Sequence, residues 1–501
     1  MFGNLLTETL IQTDRGCHSL PGLMAAMARG EVASFPALRP HQRPAWHMFL
    51  VQLGVLALSS RGLEDLPDDE PSWRAALRSL TTDFPDDEPW HLVVEARDKP
   101  AFLQPPDPGG LKWSPVATPD ALDMLITSRN HDLKREVAQE AEPQDWVVAL
   151  VSLQTMEGFG GAGNYGIARM NGGSSSRAML ALAPAASWGR VVDPSAWWRR
   201  DVVRLLGGRG PHSGRALLWC APWPEGQALS FDKLDPLFIE ICRRVRLVGG
   251  AETLSGIRAT SKAARVAAKD LHGATGDPWA PTNIAANKSL TLGESDWTYR
   301  KLSELLFGGE WSVPLLATPD ADEGTTSMLL IAEAFSRGNS KTDGFRSRVI
   351  PVPKAVVKAV FGSLAHDVSK SQIQEIARID KELRNALALI AAEGEWGKIR
   401  KAEFARTQPA RAALDKAADA VFFPTLWNKL EAGTGKGMEA IHHDFVRNLA
   451  EAARAEFKRA VPGIPCTSIM RPRAEARAAA AFEAGLRRLF KDLGVKEKTD
   501  A

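Results

Sequence analysis

The spacing of apolar and polar positions divides the chain into two stretches of different character. Up to about Pro353 the pattern changes every few residues and is punctuated by Gly and Pro. Short apolar runs at His91–Glu95, Trp146–Leu153 and Met328–Ala332 read as strands. Arg43–Leu58 and Asp296–Phe307 read as helices. The segment from Glu64 to Pro89, in which Pro-Asp-Asp-Glu-Pro occurs twice, reads as solvated loops around a helix. From about Ala365 onward strand formers thin out, and Ala, Glu, Lys, Arg and Leu dominate. Four helical stretches are predicted there: Ser369–Glu393, Trp396–Ala420, Gly437–Ala460 and Arg473–Leu493. Ile441, Phe445, Leu449 and Ala452 mark one apolar face of the third, and Pro409 is expected to kink or break the second. The fold class expected is α+β: a large irregular mixed domain over residues 1–360, then an antiparallel four-helix bundle over 361–501.

Composition narrows the function classes. The 501 residues are 44% hydrophobic and 24% charged, an ordinary globular balance. The run Met48–Leu58 is too short to span a bilayer and is broken by Gln52, so no membrane segment is expected. The four cysteines stand singly, without a Cys-x-x-Cys, which argues against zinc and for a reducing, cytoplasmic setting. The N-terminus has no basic leader pattern. The fifteen tryptophans, among them Trp197 and Trp198, are expected mostly to pack the core. A net charge of +2 conceals a basic middle: Arg169–Lys301 holds 19 Lys/Arg against 11 Asp/Glu. That is the footprint of either a nucleic-acid surface or a solvated basic face.

Met156–Gly173 carries the most pointed chemistry. Glycines crowd it, Phe159, Tyr165, Ile167 and Met170 interleave with them, and Arg169 and Arg177 flank the loop. A side-chain-poor backbone beside arginines suits a phosphodiester or a base edge. Gly161–Gly166 formally matches Gly-x-Gly-x-x-Gly, which keeps a nucleotide-binding enzyme as the alternative. The dinucleotide fingerprint, however, needs a long helix after it, and Asn171-Gly172-Gly173 follows instead. Gly433–Gly437 lacks the first glycine and the hydroxyl of a phosphate loop, since Leu430 and Gly437 stand there. Three His-Asp pairs, at 131, 366 and 443, lack companion ligands in sequence, and no nucleophile or carboxylate constellation argues for catalysis. Arg258, Lys262, Arg265 and Lys269 form a basic row among small residues, on one face if helical or along an edge if extended. Phe335–Arg348 reads as a projecting hairpin, with Asn339, Ser340 and Lys341 at its tip and Arg337 and Arg346 on its limbs.

Taken together these segments resemble the CasA family, the large subunit of the type I-E CRISPR Cascade complex. Asn4-Leu5-Leu6 resembles its opening, Pro100–Gln104 its Pro-Phe-[Leu/Met]-Gln signature and Glu157–Gly161 its glycine loop. Thr260–Lys262 through Gly276–Trp279, and Asp296–Thr298, are similar to two further blocks. Phe335–Arg348 running into Ile350–Pro353 is similar to its wedge hairpin, and Phe423 through Trp427 to Leu430 to an aromatic motif of its bundle. The blocks lie in the family's order over almost the whole chain.

The resemblance implies a non-catalytic role in RNA-guided DNA surveillance, with guide-RNA pairing supplying long specificity and protein contacts licensing opening. It implies that the short PAM is read from the minor groove of duplex DNA by three elements. These are a glycine loop (Gly158, Phe159, Gly160, Gly161, Gly163), a lysine (Lys269 or Lys262) and a wedge tip (Asn339, Ser340, Lys341). Lys134 and Arg135, within Ser128–Val137, stand where the family has a segment near the guide. With Arg169, Arg177, Arg258, Arg265, Arg337 and Arg346 they are the expected nucleic-acid backbone contacts. The partners implied are target DNA, the other subunits with their guide RNA, and a separate helicase–nuclease; the bundle is implied to help hold the displaced strand. Some relatives carry a cysteine cluster before the lysine and a glutamine at the wedge tip. This chain has neither, so no zinc or other cofactor is expected and the PAM preference is left open.

Overall fold

A computed structural model describes residues 1–127, 140–172, 175–186, 191–210, 213–250, 252–320, 323, 326–338, 341–359 and 362–495. The chain divides into two compact units. The first takes in Met1–Trp297, Glu310–Asp320 and Thr326–Pro351; the second includes Thr298–Gly309 and Val352 onward.

The first unit is built around helices α1 (Leu20–Arg29), α2 (Arg43–Ser60) and α3 (Glu70–Ser79). Every residue of α2 from Pro44 to Leu58 is buried, as expected of a helix that is apolar on all sides. A three-stranded antiparallel sheet places β3 (Arg244–Val248) beside β4 (Ser255–Ala259), and β4 beside β1 (Ser114–Val116). A second sheet runs in the order β6 (Lys341–Val352), β5 (Met328–Gly338), β2 (Met179–Pro184), with Met328 opposite Pro184 and Glu333 opposite Met179. The strand expected at Trp146–Leu153 is instead part of helix α4 (Pro143–Met156). Trp146 to Val151 are buried without a break, and such a run shows no period that separates helix from strand. The helix-start signal lay just upstream: Pro143 sits in the first turn, and the Glu142 N–H donates to the Asp145 carboxylate at 2.8 Å. Helix α5 (Pro194–Gly207) lays Trp198 against Trp73 of α3. Eight tryptophans are among the largest fully buried side chains, in keeping with their expected packing role.

In the second unit, helix α6 (Tyr299–Phe307) joins α7 (Ser363–Ala391), α8 (Gln408–Ala432), α9 (Lys436–Ala460) and α10 (Arg471–Asp492). The long helix α7 packs against each of α8, α9 and α10, and α8 against α9. The second bundle helix begins later than predicted. A short turn of helix at Lys401–Ala405 precedes it, and Pro409 sits in the first turn of α8, where its missing N–H costs nothing. The proline inside α8 is Pro424. Tyr299 ties α6 to α8, its hydroxyl donating to Asp415 at 2.9 Å and its ring lying 4.8 Å from that of Phe422.

Candidate nucleic-acid interface

The glycine segment leaves the C-terminus of α4 as a closed loop. The N–H of Ile167 donates back to the carbonyl of Glu157 at 3.1 Å and shuts its neck. Inside it, Gly160 N–H donates to Asn164 and Asn164 N–H to Gly161, at 2.8 and 3.0 Å. Gly163 has φ +77°, and a Cβ there would lie 2.6 Å from the Cβ of Thr260. At Gly158 a Cβ would lie 1.7 Å from a guanidinium nitrogen of Arg337. Only glycine fits either position. Phe159, Gly160 and Ala162 are exposed.

Two buried arginines hold the loop from within. Arg243 donates to the carbonyls of Tyr165 and Gly158, the latter at 2.5 Å. Arg337, on β5, donates to the carbonyl of Phe159 at 3.0 Å and to that of Ser175 at 3.3 Å. Glu157 lies 3.4 Å from Arg243. The N–H groups of Gly161, Ala162 and Gly163 make no hydrogen bond among the described residues. The carbonyls of residues 158, 159 and 165 are thus taken up by buried arginines, while the N–H groups of 161–163 are left without protein partners among the described residues. The loop follows the C-terminus of a helix, where the dipole disfavours anions, and leads to the strand β2. A dinucleotide site needs the opposite order, strand before and helix N-terminus after, so the loop is not such a site.

The basic row is not one face. Arg258 lies on β4 and is exposed, Lys262 is exposed in the loop beyond it, and Lys269 is exposed in a 3-10 turn, Lys269–Leu271. Lys262 is the lysine brought to the glycine loop: Ser261 N–H donates to Gly163 at 2.9 Å, and the Tyr165 hydroxyl to the Lys262 carbonyl at 3.2 Å.

Four arginines expected at phosphates are buried instead. Arg265 donates to the carbonyls of Leu218, Ala221 and Pro222 at 2.7–2.9 Å, and burial pushes its pKa down to about 9. Arg169 lies 4.1 Å over the Phe238 ring, donates to the carbonyls of Pro236 and Phe238, and is pushed down to about 10 by burial. Arg177 grips Asp277 through two bonds of 2.6 and 3.1 Å. Burial opposes ionisation of Asp277, yet Arg177 and Arg169 outweigh it and hold the carboxyl below its usual range. Arg337 is spent on the loop carbonyls. A buried guanidinium is tolerated only where carbonyls or carboxylates replace its water, and these four have such partners. Arg346 is half-buried, and its carbonyl accepts from the Trp297 indole at 3.1 Å. Lys134, Arg135, Asn339 and Ser340 lie outside the described residues; Lys341 opens β6, and its side chain is likewise outside them.

Arg243 escaped the sequence reading. Its signal was Arg243-Arg244-Val245-Arg246, three cations at the head of an otherwise apolar strand, and all three are buried. Burial beneath the loop is completed by Glu240, which accepts from Ala168 N–H at 2.6 Å and whose pKa is raised to about 7 by burial. Among the described residues no group of His, Cys, Asp or Glu is gathered to hold a metal, and no helix is long and apolar enough to cross a membrane.

No family profile and no curated protein matches the chain. Solved structures do. CasA from Thermus thermophilus aligns with 97% of this chain and 100% of its own at 16% identity and a TM-score of 0.67. The CRISPR-associated protein Cse1 from Acidimicrobium ferrooxidans aligns over 98% and 99%, at 16% identity and 0.63. A chain of a CRISPR RNA-guided surveillance complex aligns over 98% and 99%, at 13% identity and 0.51. Matched from end to end in both directions, this chain has the CasA fold.

Proposed function

We propose that the chain is the large subunit of an RNA-guided Cascade surveillance complex and reads the PAM of target duplex DNA from the minor groove. The observation that carries this reading is the loop at 158–166, whose carbonyls at 158, 159 and 165 are taken up by buried arginines and whose N–H groups at 161–163 have no protein partner among the described residues, with the exposed Lys262 joined to the loop through Ser261 and Tyr165. Minor-groove base edges display mainly acceptors, so a row of donors beside an ammonium complements them. The bare glycine backbone meets the narrowness of the groove. The hairpin of β5 and β6 supplies the element that separates the first base pairs, at a cost of a few kcal/mol per unstacked step that phosphate contacts offset. The resemblance extends this to holding the displaced strand along the bundle and recruiting a helicase–nuclease, with the cut made by that partner. Localisation follows as cytoplasmic, where the guide complex meets invading DNA.

The test is a titration of the complex, reconstituted with its guide RNA, against duplexes that carry or lack a PAM. Lys262→Ala is expected to lower affinity for the PAM duplex at least about tenfold while assembly survives. Gly160→Asp, which adds a carboxylate to the exposed turn, is expected to do the same. Equal affinity of wild type for both duplexes overturns the proposal.

A further inference from the structure

We infer that Arg243 and Arg337 form a two-guanidinium clamp that sets the glycine loop and ties it to the hairpin limb, so that base reading and strand opening move as one unit. This rests on the function proposed above for the loop, but the clamp itself is a matter of geometry.

The two arginines come from different parts of the first unit. Arg243 immediately precedes β3, and Arg337 lies next to the last residue of β5. Between them they occupy the carbonyls of Gly158, Phe159 and Tyr165, at both ends of the exposed turn. Arg337 also bonds Ser175, downstream of the loop, so one planar group joins the hairpin limb, the loop and the segment leading into β2. The fit is tight: the guanidinium of Arg337 fills the space that any side chain at residue 158 would need. The limb is held on its other side as well, where Arg337 N–H and the Ser336 hydroxyl both donate to the Gly293 carbonyl, at 3.0 and 2.8 Å. A displacement of β5 at this point must therefore shift the carbonyl of Phe159.

A lysine cannot reproduce the clamp, since its single ammonium cannot reach two carbonyls in a fixed plane. Arg337→Lys thus keeps the charge and loses the link, which separates geometry from electrostatics. The experiment has two arms. Hydrogen–deuterium exchange on the whole chain, without DNA, is read at peptides covering 157–167, 328–338 and 341–352 in wild type, Arg243→Gln, Arg337→Gln and Arg337→Lys. Every variant is expected to speed exchange at 157–167 about tenfold, and Arg243→Gln to speed it also in the hairpin strands, while α7–α10 stay at wild-type rates. In the second arm the assembled complex is titrated with duplexes carrying 2-aminopurine next to the PAM. The ratio of PAM to non-PAM affinity and the unstacking signal are expected to fall together, about tenfold each, in both Arg337 variants. Release of the loop with an unaltered hairpin, or loss of PAM preference with unstacking intact, overturns the coupling. If wild type shows no PAM preference, the proposed function fails, and the exchange arm still decides the clamp.

Discussion

At the scale of single residues, the loop is specified by positions where no side chain fits. Gly163→Ala would place a β-carbon against Thr260 at a left-handed backbone angle, a strain of about 1–3 kcal/mol. The expected result is loss of PAM-dependent binding in a gel-shift titration, with circular dichroism unchanged. Glu240 gives a pH signature. Burial raises its pKa from 4.5 to about 7, against the pull of the Ala168 N–H, Arg169 and Arg177. The folded protein therefore holds a proton that the unfolded chain has already released, so its contribution is whole below about pH 4.5 and is lost as pH rises through about 7. A displacement of that size corresponds to about 3 kcal/mol. Glu240→Gln imitates the protonated acid and keeps an acceptor for Ala168. Its melting temperature is expected to match wild type near pH 5 and to exceed it at pH 8; parallel pH profiles would refute this. The arginines whose placement differs from expectation share one cause. Arg169 and Arg177 flank a glycine-rich loop that looks solvated, but the partner of Arg177 is Asp277, a hundred positions away. Nothing local in the chain announces such a pairing.

At the scale of elements, strongly patterned segments are legible in the sequence and uniformly apolar ones are not. Helix α2 can be read from its length, whereas α4, shorter and buried along most of its length, reads as a strand unless its N-terminal signals are weighed. The third and fourth bundle helices fall within two residues of where periodicity puts them, whereas the first starts six residues earlier and the second twelve later. The polar row from Arg258 to Lys269 shows the opposite failure, since four cations at helical spacing are distributed over a strand, a loop and a turn. Helix α8 offers a test of its own. Pro424 is exposed within it and cannot donate to the carbonyl of Ala420. Pro424→Ala is expected to stabilise the second unit by ~1–3 kcal/mol, read as a raised denaturant midpoint. A lowered midpoint would mean that the packing of Phe423 and Trp427 depends on the irregularity.

At the scale of the whole molecule, the buried cations near the loop, Arg169, Arg177, Arg243, Arg265 and Arg337, hold the fold together and are not available to a polyanion. The salt dependence of DNA binding should reflect only the exposed ones. Arg258→Ala is expected to reduce the slope of log K against log salt by about 0.9, the share of one phosphate contact. An unchanged slope would remove Arg258 from the interface. The order of the chain through its two units carries a practical consequence. Helix α6 precedes β5 and β6 in sequence, yet it is counted with the helices that come after them. A fragment started at Val352 would lack Tyr299 and would bare the ring of Phe422 to water. Severing the protein at the linker before α7 therefore yields a piece prone to clump, and a soluble version must splice residues 298–309 back on.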